Sequence, residues 1–132
     1  MRLYYIILLS TFCFFSFTAK SEVYNCERIR LDSQGFQSKS AASSWFNDNI
    51  TITTDLDKKT AKYKGSSSDL KIRDDKKRIN MSFERKMRGG QRILVRFTFL
   101  ANGEVHAELK PVGGYKVPGG AVYKCIGWSG SL

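Results

Sequence analysis

RILVRFTFLANGEVHAELK, residues 92–110, decides the fold. Two runs of alternating apolar and polar residues flank Ala101, Asn102 and Gly103, which combines the two-residue period of β-strands with the turn chemistry of a hairpin. Parity sets the loop length. Val95, Phe97 and Phe99 share a face with Val105, Ala107 and Leu109 if the numbers of facing residues sum to 204. A three-residue loop with Gly103 in the left-handed conformation provides this register, whereas a two-residue Asn-Gly loop would set Phe99 against His106. On the other face the same register sets Arg96 against Glu108 and Thr98 against His106.

At the start of the chain, Arg2 precedes an apolar run over residues 3–17, followed by Thr18, Ala19, Lys20 and Ser21. This is the pattern of a signal peptide, and cleavage after Ser21 places small residues at both positions that a signal peptidase reads. The run is shorter than the roughly 20 apolar residues of a membrane-spanning helix, so no transmembrane anchor is expected in the mature form. Cys13 lies within the run behind the bulky Phe12, which does not suit lipid attachment. Removing 21 of the 132 residues leaves 111, enough for a single β domain over residues 22–132. That domain keeps 20 of the 22 basic residues and all 12 acidic ones, a formal net charge of +8. Such a charge favours lipid headgroups, acidic glycans or nucleic acid, with solubility as the competing explanation.

Cys26 and Cys125 are the cysteines left after cleavage, one near each end of an exported chain, and a disulfide between them is expected. It would close a loop of 99 residues, for which chain entropy gives an upper figure of about 4 to 5 kcal/mol. The two ends of the domain must then be neighbours.

Other strands follow from weaker alternation. In EVYNCERIRL, residues 22–31, Tyr24 and Cys26 have one parity and Ile29 and Leu31 the other, so a bulge near Glu27 or Arg28 is expected. Residues 32–49 form a loop with a short helical turn over residues 41–46, where Trp45 and Phe46 plug one end of the core. ITITT (50–54), a turn over residues 55–59 and an extended stretch around Tyr63 make a second hairpin, and residues 65–68 read as a plain connector. Leu70 and Ile72 face Ile79, Met81 and Phe83 across a four-residue loop, 75–78, built on an ordinary type I turn. Residues 111–120 form a glycine-rich loop, residues 121–128 a last strand, and residues 129–132 are expected to fray. About eight strands in an antiparallel meander, with the first and last held together by a disulfide, predict a closed β-barrel, with a β-sandwich as the alternative.

The chemistry is sparse. His106, the single histidine, falls on the polar face, and no nucleophilic arrangement accompanies it, so no catalytic residues are assigned and the chain is not expected to be an enzyme. Asp55 and Asp57 lack the later ligands of a calcium loop, and no metal site is expected. With no phosphate-loop or dinucleotide motif, no cofactor is implied. The strongest bias lies over residues 71–92, where nine basic residues meet Asp74, Asp75 and Glu84. Its second loop, residues 85–92, carries Arg85, Lys86, Arg88 and Arg92 around Gly89 and Gly90, which suits a phosphate, sulfate or carboxylate group; a merely solvated charged loop is the competing reading. Phe83 is the one aromatic between residues 71 and 92, and it shares the apolar face, which argues against nucleic acid.

VYNC near residue 24, SSWFNDNITITTDLDKKTAKY, GGQRILVRFTF and GGAVYKC together resemble small exported alphaproteobacterial proteins of unknown function. A weaker resemblance, through size, export, paired cysteines and an expected β-barrel, is to the periplasmic inhibitors of C-type lysozyme, although the chain lacks the Ser-Gly-x-x-Tyr loop of that family. The expectation is therefore a periplasmic or secreted, non-enzymatic binding module that contacts anionic envelope glycan or lipid through the basic loop. The alternative is a periplasmic inhibitor of a lysozyme-like or other hydrolase, with an envelope protein as partner.

Overall fold

Alternation over residues 92–110 becomes a strand pair in the register that parity requires. The computed structural model describes residues 21–132, so the expected leader, residues 1–21, lies outside the described residues except for Ser21. Among the described residues there are nine strands and one short helix: β1 (Ser21–Asp32), α1 (Lys39–Trp45), β2 (Asn49–Asp55), β3 (Thr60–Tyr63), β4 (Ser66–Asp69), β5 (Lys71–Arg73), β6 (Arg78–Lys86), β7 (Arg92–Phe99), β8 (Glu104–Pro111) and β9 (Gly120–Ile126). Between β7 and β8, Val95 faces Leu109, Phe97 faces Ala107, Phe99 faces Val105 and Arg96 faces Glu108. Leu100 and Glu104 close the three-residue loop, and Gly103 takes a φ of 84°. The left-handed conformation at this position favours glycine.

All the strands pair antiparallel, in the order β4-β3-β2-β1-β9-β8-β7-β6-β5. The first and last strands lie side by side, and Cys26 and Cys125 are direct cross-strand partners joined by a disulfide. The sheet also comes round to meet itself. β4 and β5 are two halves of one strand that changes partner at the buried Leu70: β4 pairs with β3, whereas β5 pairs with β6. Beyond that switch β4 still runs beside β6, but serine side chains replace the backbone ladder. Ser82 N–H donates to Ser68 Oγ at 2.8 Å, and the Ser66 hydroxyl donates to the Glu84 carbonyl at 3.4 Å. The result is a barrel closed between β1 and β9 and nearly closed between β4 and β6. Residues 65–68 are thus not a plain connector, because β4 supplies the closing edge.

Inward-facing residues of the strands fill the interior. Phe97 is central: Tyr63, Phe83 and Tyr123 surround its ring at centroid separations of 5.0, 6.0 and 6.4 Å, edge-on in each case, a favoured geometry for aromatic pairs. At one end α1 and its flanks form a plug. Ser38 caps the helix by accepting from Ala41 N–H at 3.0 Å, and the buried Phe46 meets Phe36 at 5.9 Å. Arg28, turned inward from β1, fastens the plug by donating to the Phe46 carbonyl at 2.6 Å and pairing with Asp48 at 2.6 Å. The other end is covered by Trp128, whose ring lies 5.3 Å from Phe99 and whose indole N–H donates to the Leu100 carbonyl at 2.9 Å.

The bulge expected in β1 is present, and two other expectations require correction. The bulge in β1 falls at Ile29, between the paired residues Arg28 and Arg30, so Leu31 rejoins the core while Ile29 is turned out to solvent. The β5–β6 loop has four residues as expected but spans 74–77, with Ile72 opposite Ile79. Its conformation is not that of an ordinary type I turn, because Asp74, Asp75 and Lys76 all take positive φ; primed turns match the twist of hairpin strands, and aspartate tolerates that region better than most residues. Finally, the C-terminus does not fray: Leu132 N–H donates to the Lys76 carbonyl at 3.0 Å, and Gly130 packs against Ala101.

Candidate functional site

The loop joining β6 to β7 lies at the α1 end of the barrel, next to the β3–β4 turn. The other basic loop, residues 74–77, lies at the opposite end, so the cations of residues 71–92 form two separate groups. Met87 N–H donates to the Gln91 carbonyl at 2.7 Å, leaving Arg88, Gly89 and Gly90 as a three-residue turn with both glycines at positive φ.

Strand parity separates the four candidate residues. Ile79, Met81 and Phe83 point into the barrel, and Arg85 continues that series at the rim. There its guanidinium carbon lies 5.0 Å from the centroid of the Trp45 ring, a cation–π arrangement. Lys86 and Arg92 are cross-strand partners on the outer face, where Arg92 pairs with Glu84 at 3.1 Å. Arg88 occupies the turn tip. All four are exposed. Lys64, in the β3–β4 turn, adds a fifth cation, its Nζ 3.3 Å from Asn47 Oδ1 and 5.5 Å from the Tyr63 centroid. Thus Lys64, Arg85, Lys86, Arg88 and Arg92 gather at one end with Glu84 among them.

Between Trp45 and β6 lies a cavity of about 220 Å³, lined by Trp45, Tyr63, Phe83 and Val95 together with the polar residues Lys64, Ser66, Glu84 and Arg85. Tyr63 is only 6 % exposed, and its hydroxyl makes no hydrogen bond among the described residues. Burial raises its pKa above the ordinary tyrosine value, opposed by the charge of Arg85. Tyr123, deeper in the barrel, also has a raised pKa, chiefly through burial, while its hydroxyl donates to the Asn47 carbonyl at 2.7 Å. The cavity was not anticipated, but the parity of β6 carries a signal for it: continuing the inward series from Phe83 places Arg85 over the mouth.

His106 lies on the outer face opposite Thr98, half exposed, with Nε2 3.7 Å from Glu104. Around it runs an ion-pair network in which Arg30 meets Glu104 at 2.9 Å and Lys116 meets Glu108 at 3.0 Å, with Arg96 on the same carboxylate. Burial pushes the Glu108 carboxyl up, but hydrogen bonds and charges from Lys116 and Arg96 outweigh it and hold the pKa below the ordinary value. Asp55 caps its own turn, accepting from Asp57 N–H and Lys58 N–H at 3.1 Å each. Among the described residues no three His, Cys, Asp or Glu side chains gather as a set of metal ligands, and no helix is long and apolar enough to cross a membrane.

Comparison with family models, with curated proteins and with solved structures found no match.

Proposed function

We propose that this protein is an exported, non-enzymatic binding module that holds anionic cell-envelope material, glycan or lipid, at the α1 end of its barrel. The observation that carries this reading is the gathering of Arg85, Lys86, Arg88 and Arg92 with Lys64 at one end of the barrel, with Glu84 among them. Neither Lys86 nor Arg88 has an acidic partner among the described residues, so both charges are available to a ligand. The leader-like first 21 residues and the disulfide support release into an oxidising compartment such as the periplasm. The test is salt-titrated binding to anionic vesicles, lipopolysaccharide and peptidoglycan. Each basic residue near an anionic surface contributes about 1 kcal/mol, so K86Q/R88Q should weaken low-salt binding at least about tenfold. Absence of binding at low salt would refute the reading.

A second reading, inhibition of a lysozyme-like or other hydrolase, draws on the loop over residues 112–119. Tyr115 at its tip is 96 % exposed. The loop is braced by Gly114 N–H to the Pro111 carbonyl at 3.1 Å, Val117 N–H to the Leu109 carbonyl at 2.9 Å and the Lys116–Glu108 pair. A braced loop presenting an exposed aromatic loses little freedom on contact, which suits insertion into an enzyme cleft. A panel of muramidase and protease assays, with Tyr115→Ala as control, separates this reading from envelope binding.

A further inference from the structure

The cavity beside Trp45 combines two features that the exposed cations lack. It has an apolar floor of aromatic faces, from Tyr63 and Phe83, together with Val95. It also has an oriented charge, because Arg85 is held over the indole and forms no ion pair among the described residues. A hydrated surface arginine is free to turn; one stacked on an indole has much of its orientation fixed in advance, so less freedom is lost when an anion binds. Glu84 also lines the cavity, but its carboxylate pairs with Arg92 at 3.1 Å and not with Arg85. Tyr63 contributes a hydroxyl that is still free to donate.

From this geometry we propose that the cavity is a binding site for a planar organic carboxylate about the size of one six-membered ring, with its ring against Phe83 and Tyr63 and its carboxylate on Arg85. The volume of about 220 Å³ lies below the roughly 300–1,000 Å³ typical of sites for larger ligands, which limits the occupant to a single ring and its substituent. The guanidinium selects a carboxylate through charge-assisted hydrogen bonds, while the apolar floor selects against inorganic anions, which would lose hydration there without apolar contact in return. The proposal rests on the reading of this end as an anion-binding one and deepens it. It uses residues distinct from Lys86 and Arg88, so the two can fail separately.

The test is a nuclear magnetic resonance titration of the isotope-labelled exported protein with benzoate, and with neutral benzamide as the matched probe. Benzoate is expected to shift the Trp45 indole N–H and the backbone amides of Tyr63 and Arg85 saturably, and at least about tenfold more tightly than benzamide. Arg85→Gln, an exposed change that should leave the remaining spectrum in place, should weaken benzoate at least about tenfold and leave benzamide unaltered. No saturable shift, equal affinity for the two probes, or unchanged benzoate binding by R85Q would each overturn the proposal. Vesicle binding measured on the same samples distinguishes the failures. Retained vesicle binding without benzoate binding removes the cavity site alone, whereas benzoate binding without vesicle binding leaves the cavity site in place and removes the envelope reading.

Discussion

Phe97 and Glu108 show how single residues divide the work of this molecule. Phe97 touches three other aromatic rings in the interior, where removing a large side chain leaves a cavity that a barrel wall cannot close. Phe97→Ala should cost about 3 to 5 kcal/mol in denaturant unfolding. Glu108, on the outer face of β8, is held as a carboxylate by Arg96 and Lys116. Its folded pKa is depressed, so its stabilising contribution is fully present above the ordinary value of 4.5 and is lost as pH falls through the lower folded value. Glu108→Gln should therefore lower the melting temperature near neutral pH and make the acid limb of the stability profile shallower. An unchanged acid limb would show that the pair is not coupled to folding. The residue pairings Arg96–Glu108 and Thr98–His106 were legible in the sequence, because parity alone fixes them once the loop length is known. The stacking of Arg85 on Trp45 was not: it joins two segments 40 residues apart, and residues 32–49 have no period from which to place an indole.

Among the elements, legibility follows the contrast of the pattern. β7 and β8 alternate cleanly and carry apolar residues at every second position, and their hairpin forms in the expected register. β4 reads Ser-Ser-Ser-Asp, with no apolar residue to reveal a face, and it is a strand only because β3 on one side and β6 on the other offer it partners. Tertiary context decides such segments, as it often does for strands. Its serines matter for the same reason. Ser68→Ala removes the acceptor for Ser82 N–H and should cost about 1 kcal/mol, with faster hydrogen exchange at the Ser82 amide as the local signature. Unaltered exchange at Ser82 would mean that the seam is not held by this bond. The bulge near Arg28 was legible from the change of parity, but its placement at Ile29 was not, because the residues from Glu27 to Arg30 offer one apolar side chain among three charged ones, too few to show where the parity changes.

For the whole molecule, closure is the governing event. An antiparallel meander leaves two exposed edges; here β1 and β9 cover each other, and the partner switch at Leu70 brings the remaining edges together. The Cys26–Cys125 bond spans 99 residues across the β1–β9 pairing. Replacing both cysteines with alanine should lower unfolding free energy by up to about 4 to 5 kcal/mol, and mass measurement before and after reduction should show a gain of two hydrogens. Closure also assigns the basic loops to opposite ends, so the position of charge and its total can be varied independently. K86Q/R88Q and K76Q/K77Q remove the same formal charge from the two ends, the first pair beside α1 and the second at the far turn. The direct test is low-salt binding of both variants to anionic vesicles. If the α1 end is the site, K86Q/R88Q weakens binding at least about tenfold and K76Q/K77Q leaves it close to that of the unmodified protein. An equal loss from the two variants would contradict the account and leave net charge alone as the cause of binding.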